Sequence, residues 1–324
     1  MNLLVTGGAG FIGSTYTRML LHGAPGAPDV SRVTVLDSLT YAGRLENLDL
    51  CDPRLTFVRG DICDPDTVAA AMTGTDQVVH FAAESHVDRS IADAHAFVRT
   101  NAVGTQTLLD QALRLGVDRF VHVSTDEVYG SVATGARSET DPLAPNSPYA
   151  ASKAASDLIA LSFHRTHGLD VRVTRCSNNY GPRQYPEKII PLFVSRLLTG
   201  GTVPLYGDGR HVRDWLHVED HCRGVEAVRL RGRPGEIYNI GGGTALTNRE
   251  LTGRLLTACG RDWSAVRHVP DRKGHDLRYA IHDDKVRAEC GYRPRTDFDT
   301  GLARTVEWYR RHRSRWDRAV PTEA

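Results

Sequence analysis

Four groups of residues carry types and spacings that suit chemistry. The first is the run LLVTGGAGFIG at 3–13, where an apolar stretch enters Gly7, Gly8, Gly10 and Gly13. Glycines at this spacing permit a tight turn and let backbone N–H groups approach a pyrophosphate at a helix N-terminus. Asp37 ends the next apolar run. A carboxylate there accepts bonds from the adenosine ribose and repels a 2′-phosphate, so NAD is favoured over NADP. A glycine turn with no ligand is the plain alternative, and Gly60-Asp61-Ile62 flanks either the adenine or nothing. The second group is Tyr149 and Lys153, which share one helix face at i and i+4. A phenol with a pKa of about 10 is too weak a base near neutrality. An ammonium beside it and an oxidised nicotinamide would both stabilise phenolate and lower that value. The third is Ser124-Thr125-Asp126-Glu127 at the end of a further apolar run. Adjacent carboxyls there suggest paired acid and base work, with repulsion and partial burial keeping one protonated. Both could equally be loop solubilisers, or one a helix cap. The fourth is the cationic pair Lys188 and Arg213, which suits a diphosphate, although either could be a solvated surface charge.

The elements that must position these groups are partly readable. Short apolar runs at Leu3–Thr6, Val33–Asp37, Leu55–Val58, Gln77–Phe81, Phe120–Ser124 and 171–176 alternate with helical spacing at 11–22, 65–72, 93–115 and 149–167. Buried strands alternating with helices predict a Rossmann-like, doubly wound parallel α/β sheet covered on both faces. Ser147 and Pro148 read as N-cap and first turn of the helix that carries Tyr149. Gly23 to Pro28 reads as an extended surface loop. Beyond 176 the pattern is less regular, with turns at 181–182, 207–209 and 241–243 and helices expected near 188–199, 219–230, 247–258 and 299–313. The reading is an NAD-binding unit over 1–176 and a smaller α/β substrate-binding lobe over 177–324. That boundary is soft, and later segments are expected to return to the first unit. From Ala319 onward the chain is expected to fray.

Composition sets the class. With 324 residues, 24% charged and a net charge of +1, the chain lacks the basic excess of a nucleic-acid binder. It has no 18-residue apolar run, so no membrane partner is expected. The N-terminus lacks a basic region ahead of its apolar stretch, which argues against a secretory signal. Six scattered cysteines form no C-x-x-C pair, which argues against a metal finger or a disulfide framework and fits reduced thiols and a cytoplasmic location; no metal is expected. Of 40 basic residues only four are lysine, at 153, 188, 273 and 285. Codon bias in a high-GC genome is the plain reading, but a lysine retained in such a chain can be one that arginine cannot replace.

The strings TGGAGFIG (6–13), LDSLTYAG (36–43), HFAAESHVDRSI (80–91), TNAVGT (100–105), STDEVYG (124–130), SPYAASKAASD (147–157), RCSNNYGPRQYPEKIIP (175–191) and YGDGRHVRDWLHVEDH (206–221) resemble the dTDP-glucose 4,6-dehydratase family. That family lies within the extended short-chain dehydrogenase/reductase superfamily. Thr125-Asp126-Glu127 discriminates most, because related 4-epimerases do not present the acidic pair there. The resemblance implies a dTDP-hexose substrate, tightly held NAD+ and a product with a 4-keto-6-deoxy sugar. It implies Tyr149 as base at the sugar 4-OH, Thr125 on the same oxygen, Glu127 as base at C5 and Asp126 as acid at the 6-OH. It also implies that Gly7, Gly10, Phe11, Ile12, Gly13, Asp37, Ser38, Leu39, Thr40, Asp61, Ile62, Phe81, Ala82, Ala83, Ser85, Thr100, Lys153 and Asn179 line the NAD site. Ser85, Asn178, Lys188, Pro204, Tyr206, Arg213, Asn248, Arg272 and His275 would hold the nucleotide sugar, although Asn248 could simply cap its helix. Residues 272–276 read Arg-Lys-Gly-His-Asp where the family often has proline second, which weakens the roles of Arg272 and His275. Relatives resemble dimers built from paired helices, so 93–115 and 149–167 are interface candidates. Competing readings are a 4-epimerase, a GDP- or CDP-hexose dehydratase and a non-enzymatic NAD sensor.

Overall fold

The computed structural model describes residues 1–23, 30–272 and 274–317. The expected loop over 24–28, Lys273 and the segment from Ala319 onward lie outside the described residues. In chain order the strands are β1 (Asn2–Thr6), β2 (Arg32–Asp37), β3 (Leu55–Arg59), β4 (Gln77–His80), β5 (Arg119–Thr125), β6 (Val171–Cys176), β7 (Asn178–Tyr180), β8 (Val203–Tyr206), β9 (Val212–His217), β10 (Ile237–Ile240), β11 (Ala245–Thr247) and β12 (Val266–Val269). The helices are α1 (Phe11–Leu21), α2 (Pro65–Met72), α3 (Val87–Ala92), α4 (Ala94–Phe97), α5 (Gly104–Arg114), α6 (Pro148–His167), α7 (Ile189–Leu198), α8 (Val218–Arg231), α9 (Asn248–Cys259), α10 (Asp284–Cys290) and α11 (Phe298–Arg311).

Seven strands form a parallel sheet in the order β10-β6-β5-β4-β1-β2-β3. Strand side chains alternate between faces, and the apolar runs divide accordingly. Leu3, Val5, Val33 and Val35 pack with α1 and α8 on one face. Leu4, Leu36, Val171 and Val173 pack with α2, α5 and α6 on the other. The strand order turns back between β1 and β4, and ligands in such sheets sit outside the carboxyl ends of the strands at that point. A buried triad ties α8 to α1: Tyr16 donates to Glu226 at 2.6 Å, and Arg229 makes two bonds to the same carboxylate.

A separate core is built from α7, α9 and α11, while α10 packs with α8 on the large sheet. A three-stranded sheet, β11-β9-β7, and a two-stranded one, β12-β8, complete this part. β11 runs antiparallel to β9, while β7 runs parallel to it.

One helix departs from expectation in its winding. The helical run continues from α4 into α5 as expected, but it widens into a π-type turn over Val98–Val103. Asp93 caps α4 by accepting from His95 N–H at 3.0 Å. Within the wide turn Asn101 accepts from Glu84 N–H and donates to Ser152 Oγ, so the helix yields to place a buried polar side chain. The helix α6 starts as expected, with the Ser147 hydroxyl accepting from Ala150 N–H and Pro148 in the first turn.

Candidate active site

A cavity of about 990 Å³ opens along the carboxyl ends of β1, β4, β5 and β6 and runs under β9 and the 272–279 segment. Every site residue inferred from sequence lines it except Leu39. Leu39 instead donates its N–H to Asp37 Oδ1 at 2.8 Å, with φ at 53°, while its side chain packs on the core. Its backbone shapes the turn between the two lining residues Ser38 and Thr40.

The glycine loop is fixed by close approach. A Cβ on Gly7, whose φ is 67°, would lie 2.6 Å from Ala82 N, and one on Gly13 would lie 2.3 Å from Gly7 O. Gly10 caps α1 without a side-chain bond. The first N–H groups of α1 therefore point at a cradle that only glycine leaves open, which fits the pyrophosphate of a dinucleotide. Asp37 does more than the sequence suggested: its Oδ2 accepts from Ala9 N–H at 2.9 Å, so it also holds the loop. Burial raises its pKa and the backbone bonds oppose that rise. Ser38 and Thr40 follow it along the wall. Asp61 accepts from Cys63 N–H and pairs with Arg99 at 2.8 Å, and Ile62 is buried beside it. Phe81, Ala82, Ala83 and Ser85 continue the wall from β4, and Thr100 and Asn179 close it.

Thr125 ends β5 and caps the short 3-10 turn Asp126–Tyr129 by accepting from Glu127 N–H at 3.3 Å. The Thr125 hydroxyl also donates to Asp126 Oδ1 at 3.3 Å, while Oδ2 has no hydrogen-bond partner among the described residues. The two carboxyls differ in surroundings. Asp126 is 2% exposed. Burial, then the Glu127 and Asp214 carboxylates, push its pKa well up, with Arg213 as the opposing cation. Glu127 is raised by burial too, but Lys188, Arg213 and Arg272 all oppose this. The pair is thus split towards a neutral Asp126 and an ionised Glu127.

Tyr149 and Lys153 stand on the buried face of α6. The expected lowering of the Tyr149 pKa is not produced by the protein. Burial and the Glu127 carboxylate raise it well above the ordinary phenol value. Lys153 directs Nζ to Val123 O at 2.9 Å, and burial lowers its own pKa to about 8, with Asp157 opposing.

The far end carries the cations. Lys188 Nζ donates to Ser85 O at 2.5 Å, with the Glu187 and Glu127 carboxylates close enough to support its charge. Arg213 lies over the Tyr279 ring at 4.4 Å and donates to Asp276 O at 2.8 Å. Arg272 lies 3.4 Å from Asp88. His275 hydrogen-bonds Asp271 at 2.6 Å and stacks on His211 at 3.6 Å between ring centroids, with Tyr206 edge-on to it. The polar atoms of His211, Asp271 and His275 lie within 4.8 Å of one another, a metal-like grouping that the sequence reading lacked. Asn248 is not the helix cap. Thr247 fills that place in a capping box with Glu250, which leaves Asn248 facing the cavity. Asn178 Oδ1 has no hydrogen-bond partner among the described residues, and Pro204 completes this end.

Lining residues that the sequence reading missed include Glu187, Trp215 and Tyr279. Glu187 accepts from Tyr41 at 3.1 Å beside Lys188, and its place in the quoted PEKIIP string was a usable signal. Trp215 lies beside Asn178 through strand register. Tyr279 comes from an irregular segment with no local signal.

The family model described as GDP-mannose 4,6 dehydratase matches residues 4–305. A curated dTDP-glucose 4,6-dehydratase from Streptomyces antibioticus is 64% identical over 318 residues, covering 98% of this chain and 95% of its own length. One from Streptomyces griseus is 62% identical, covering 99% and 97%. Among solved structures, the dTDP-glucose 4,6-dehydratase DesIV from Streptomyces venezuelae, with NAD and TYD bound, superposes with a TM-score of 0.97 at 63% identity, covering 98% of this chain and all of that one. A UDP-glucose 4-epimerase from Thermotoga maritima, solved with UDP-glucose, superposes with a TM-score of 0.89 at 32% identity, covering 96% and 99%. The scaffold is therefore shared across reaction types, and the choice among them falls to the side chains.

Proposed function

From the premise that the chain belongs to the dTDP-glucose 4,6-dehydratase family, within the extended short-chain dehydrogenase/reductase superfamily, we propose how its side chains divide the work. The protein is an NAD-dependent lyase of deoxysugar biosynthesis that converts dTDP-glucose to dTDP-4-keto-6-deoxyglucose and water. When bound, NAD supplies the redox chemistry, accepting hydride from C4 and returning it to C6, and its positive ring is the extra cation that the Tyr149 phenol needs. Gly7, Gly10 and Gly13 leave room for the pyrophosphate, and Asp37 orients the ribose side. Tyr149 takes the proton of the 4-OH while Thr125 holds the same oxygen. Lys153 stabilises phenolate and orients the nicotinamide ribose.

A ketone at C4 makes the C5 proton acidic, and Glu127 removes it. Hydroxide is a poor leaving group without an acid, so Asp126 gives its proton to the 6-OH and water departs. The Glu127 proton exchanges with solvent before one is delivered to C5, and the proton gathered by Tyr149 replaces the one Asp126 lost. The proton count closes, and no external oxidant is consumed. Lys188 supports the charge of Glu127, while Arg213, Asn248, Arg272 and His275 hold the diphosphate end. Ser85, Asn178, Pro204 and Tyr206 fit the sugar and nucleoside.

The observation that carries this division is the asymmetry of the carboxyl pair: burial raises both, but two carboxylates against one cation push Asp126 well up, whereas three cations against one carboxylate hold back the rise at Glu127. A 4-epimerase has no use for that pair. The test is a panel of dTDP-, UDP-, CDP- and GDP-hexoses with product identification. The dTDP-glucose arm should yield a base-labile 4-keto chromophore. Formation of dTDP-galactose alone would overturn the reading.

The exposed Val98, Val103 and Leu158 support a homodimer joined through the 94–114 and 148–167 segments, with a single-chain mass by light scattering as the contrary result. No helix among the described residues is long and apolar enough to cross a membrane, in keeping with a cytoplasmic site of action. Division at 176 into cofactor and sugar-nucleotide parts fits β10 pairing with β6 as a returning segment.

A further inference from the structure

We infer that Asp157 is a positioning residue for the reaction, a buried carboxylate that holds the Lys153 ammonium in its charged, working form. The inference rests on the role proposed for Lys153. Tyr149, Lys153 and Asp157 recur at intervals of four along α6. Each therefore lies one turn from the next on the same face, about 6 Å apart along the axis.

Asp157 is wholly buried. Its Oδ2 accepts from Arg175 Nε at 2.9 Å. Its Oδ1 lies 3.3 Å from His122 Nε2, yet has no hydrogen-bond partner of acceptable geometry among the described residues. Arg175 compensates one oxygen, but a buried carboxylate whose other oxygen is unpartnered is costly. Lys153 supplies the reason. Its described hydrogen bond goes to Val123 O, a neutral acceptor. Burial drives the ammonium towards its neutral form, and the charge of Asp157 opposes that drift.

The other groups packed around this face cannot substitute. From β5, His122 is held at a pKa of about 4 by burial, and from β4, His80 is lowered further. Both are therefore neutral near pH 7. From β6, Cys176 is raised by burial and stays a thiol, while Arg175 adds positive charge and lies 4.7 Å over the Tyr129 ring. Glu127 and Asp126 act on Tyr149 at the opposite end of the face. Asp157 is thus the carboxylate that acts on Lys153.

The chain has only four lysines, 153, 188, 273 and 285, so ε-13C-lysine labelling gives a spectrum simple enough to follow Lys153 directly. Its signal is assigned with Lys153→Met. In the NAD-loaded protein Asp157→Asn should move the Lys153 midpoint down by about 1 pH unit or more, the usual reach of an opposite charge at this range. The alkaline limb of kcat/KM should move down with it, and Asp157→Glu should restore both. A midpoint within 0.3 unit of the parent (roughly the reach of a distant, screened charge), or an upward shift, would overturn the inference. If Asp157→Asn does not fold, Asp157→Asn/Arg175→Met removes both charges of the pair and should give a smaller shift in the same downward direction, since loss of the Arg175 charge partly offsets loss of the carboxylate. If neither folds, Asp157 is an architectural anchor and the proposal fails. A parent enzyme inactive on dTDP-glucose would instead count against the function proposed above, since the Lys153 midpoint is read without turnover.

Discussion

Asp126→Asn isolates the acid step. The asparagine keeps the shape and can still bond the Thr125 hydroxyl, but it has no proton to give to a leaving hydroxide. The side chain is 2% exposed and one of its oxygens has no partner, so solvent cannot readily stand in for it. General acid catalysis contributes about 10²–10⁴-fold, or about 3–5 kcal/mol of barrier at 1.36 kcal/mol per tenfold. We expect kcat to fall by about that factor, with KM within roughly threefold because binding contacts are untouched. Rapid-mixing absorbance separates the steps. Reduced nicotinamide should form at close to the parental rate and then accumulate, while the 4-keto-6-deoxy product appears slowly. Stability gives an independent check. The folded-state pKa of Asp126 lies above its unfolded value, so the native state binds more protons and stability falls as pH rises above the unfolded carboxyl range. Asparagine removes that penalty, and the melting temperature at pH 7 should rise. A kcat within threefold of the parent (about 0.7 kcal/mol of barrier), or equal slowing of C4 oxidation and product formation, would refute the assignment of Asp126 as the acid.

Three other expectations follow from the same geometry. Glu127→Gln should slow exchange of the C5 proton with deuterated solvent by about 10²-fold or more while sparing C4 oxidation; equal loss of both would remove Glu127 from the base role. Lys153 works as a cation and has a pKa of about 8, so kcat/KM should be full below that value and fall as pH rises through it. A profile flat to pH 10 would contradict this. Gly13→Ala places a methyl 2.3 Å from Gly7 O, and overpacking costs about 1–3 kcal/mol; the purified variant should melt lower and carry less NAD, and parental NAD content would show that the cradle tolerates the group.

The sheet and its glycine loop were legible because parallel strands buried on both faces appear as short apolar runs with helical segments between them. The same rule fails for β9. Its sequence, VRDWLH, buries Arg213 and Asp214, which bond to Asp276, Gly242 and Thr244 far along the chain, so no apolar alternation marks it. The three-residue β7 and β11 are too short to give a pattern. The cap of α9 is legible in the sequence: Thr247 followed three residues later by Glu250 is a capping box, which leaves Asn248 inside the helix. The widening of the helix after Phe97 depends on where Asn101 must reach, which is a tertiary fact. At the site, residue types and spacing identified the reacting groups, yet the direction of the Tyr149 shift was missed. Spacing places an ammonium one turn away, but it does not report how deeply the phenol is buried or that Glu127 faces it.

The central claim is a dehydration in which the sugar is oxidised and reduced within one cycle, without net redox change. It is tested most directly by incubating the enzyme with dTDP-glucose deuterated at C4, in ordinary water, and locating the label in the product by NMR. The account predicts dTDP-4-keto-6-deoxyglucose with the deuterium at C6 and a solvent-derived proton at C5. Label retained at C4 in a hexose, or lost to solvent with no deuterium at C6, would contradict it.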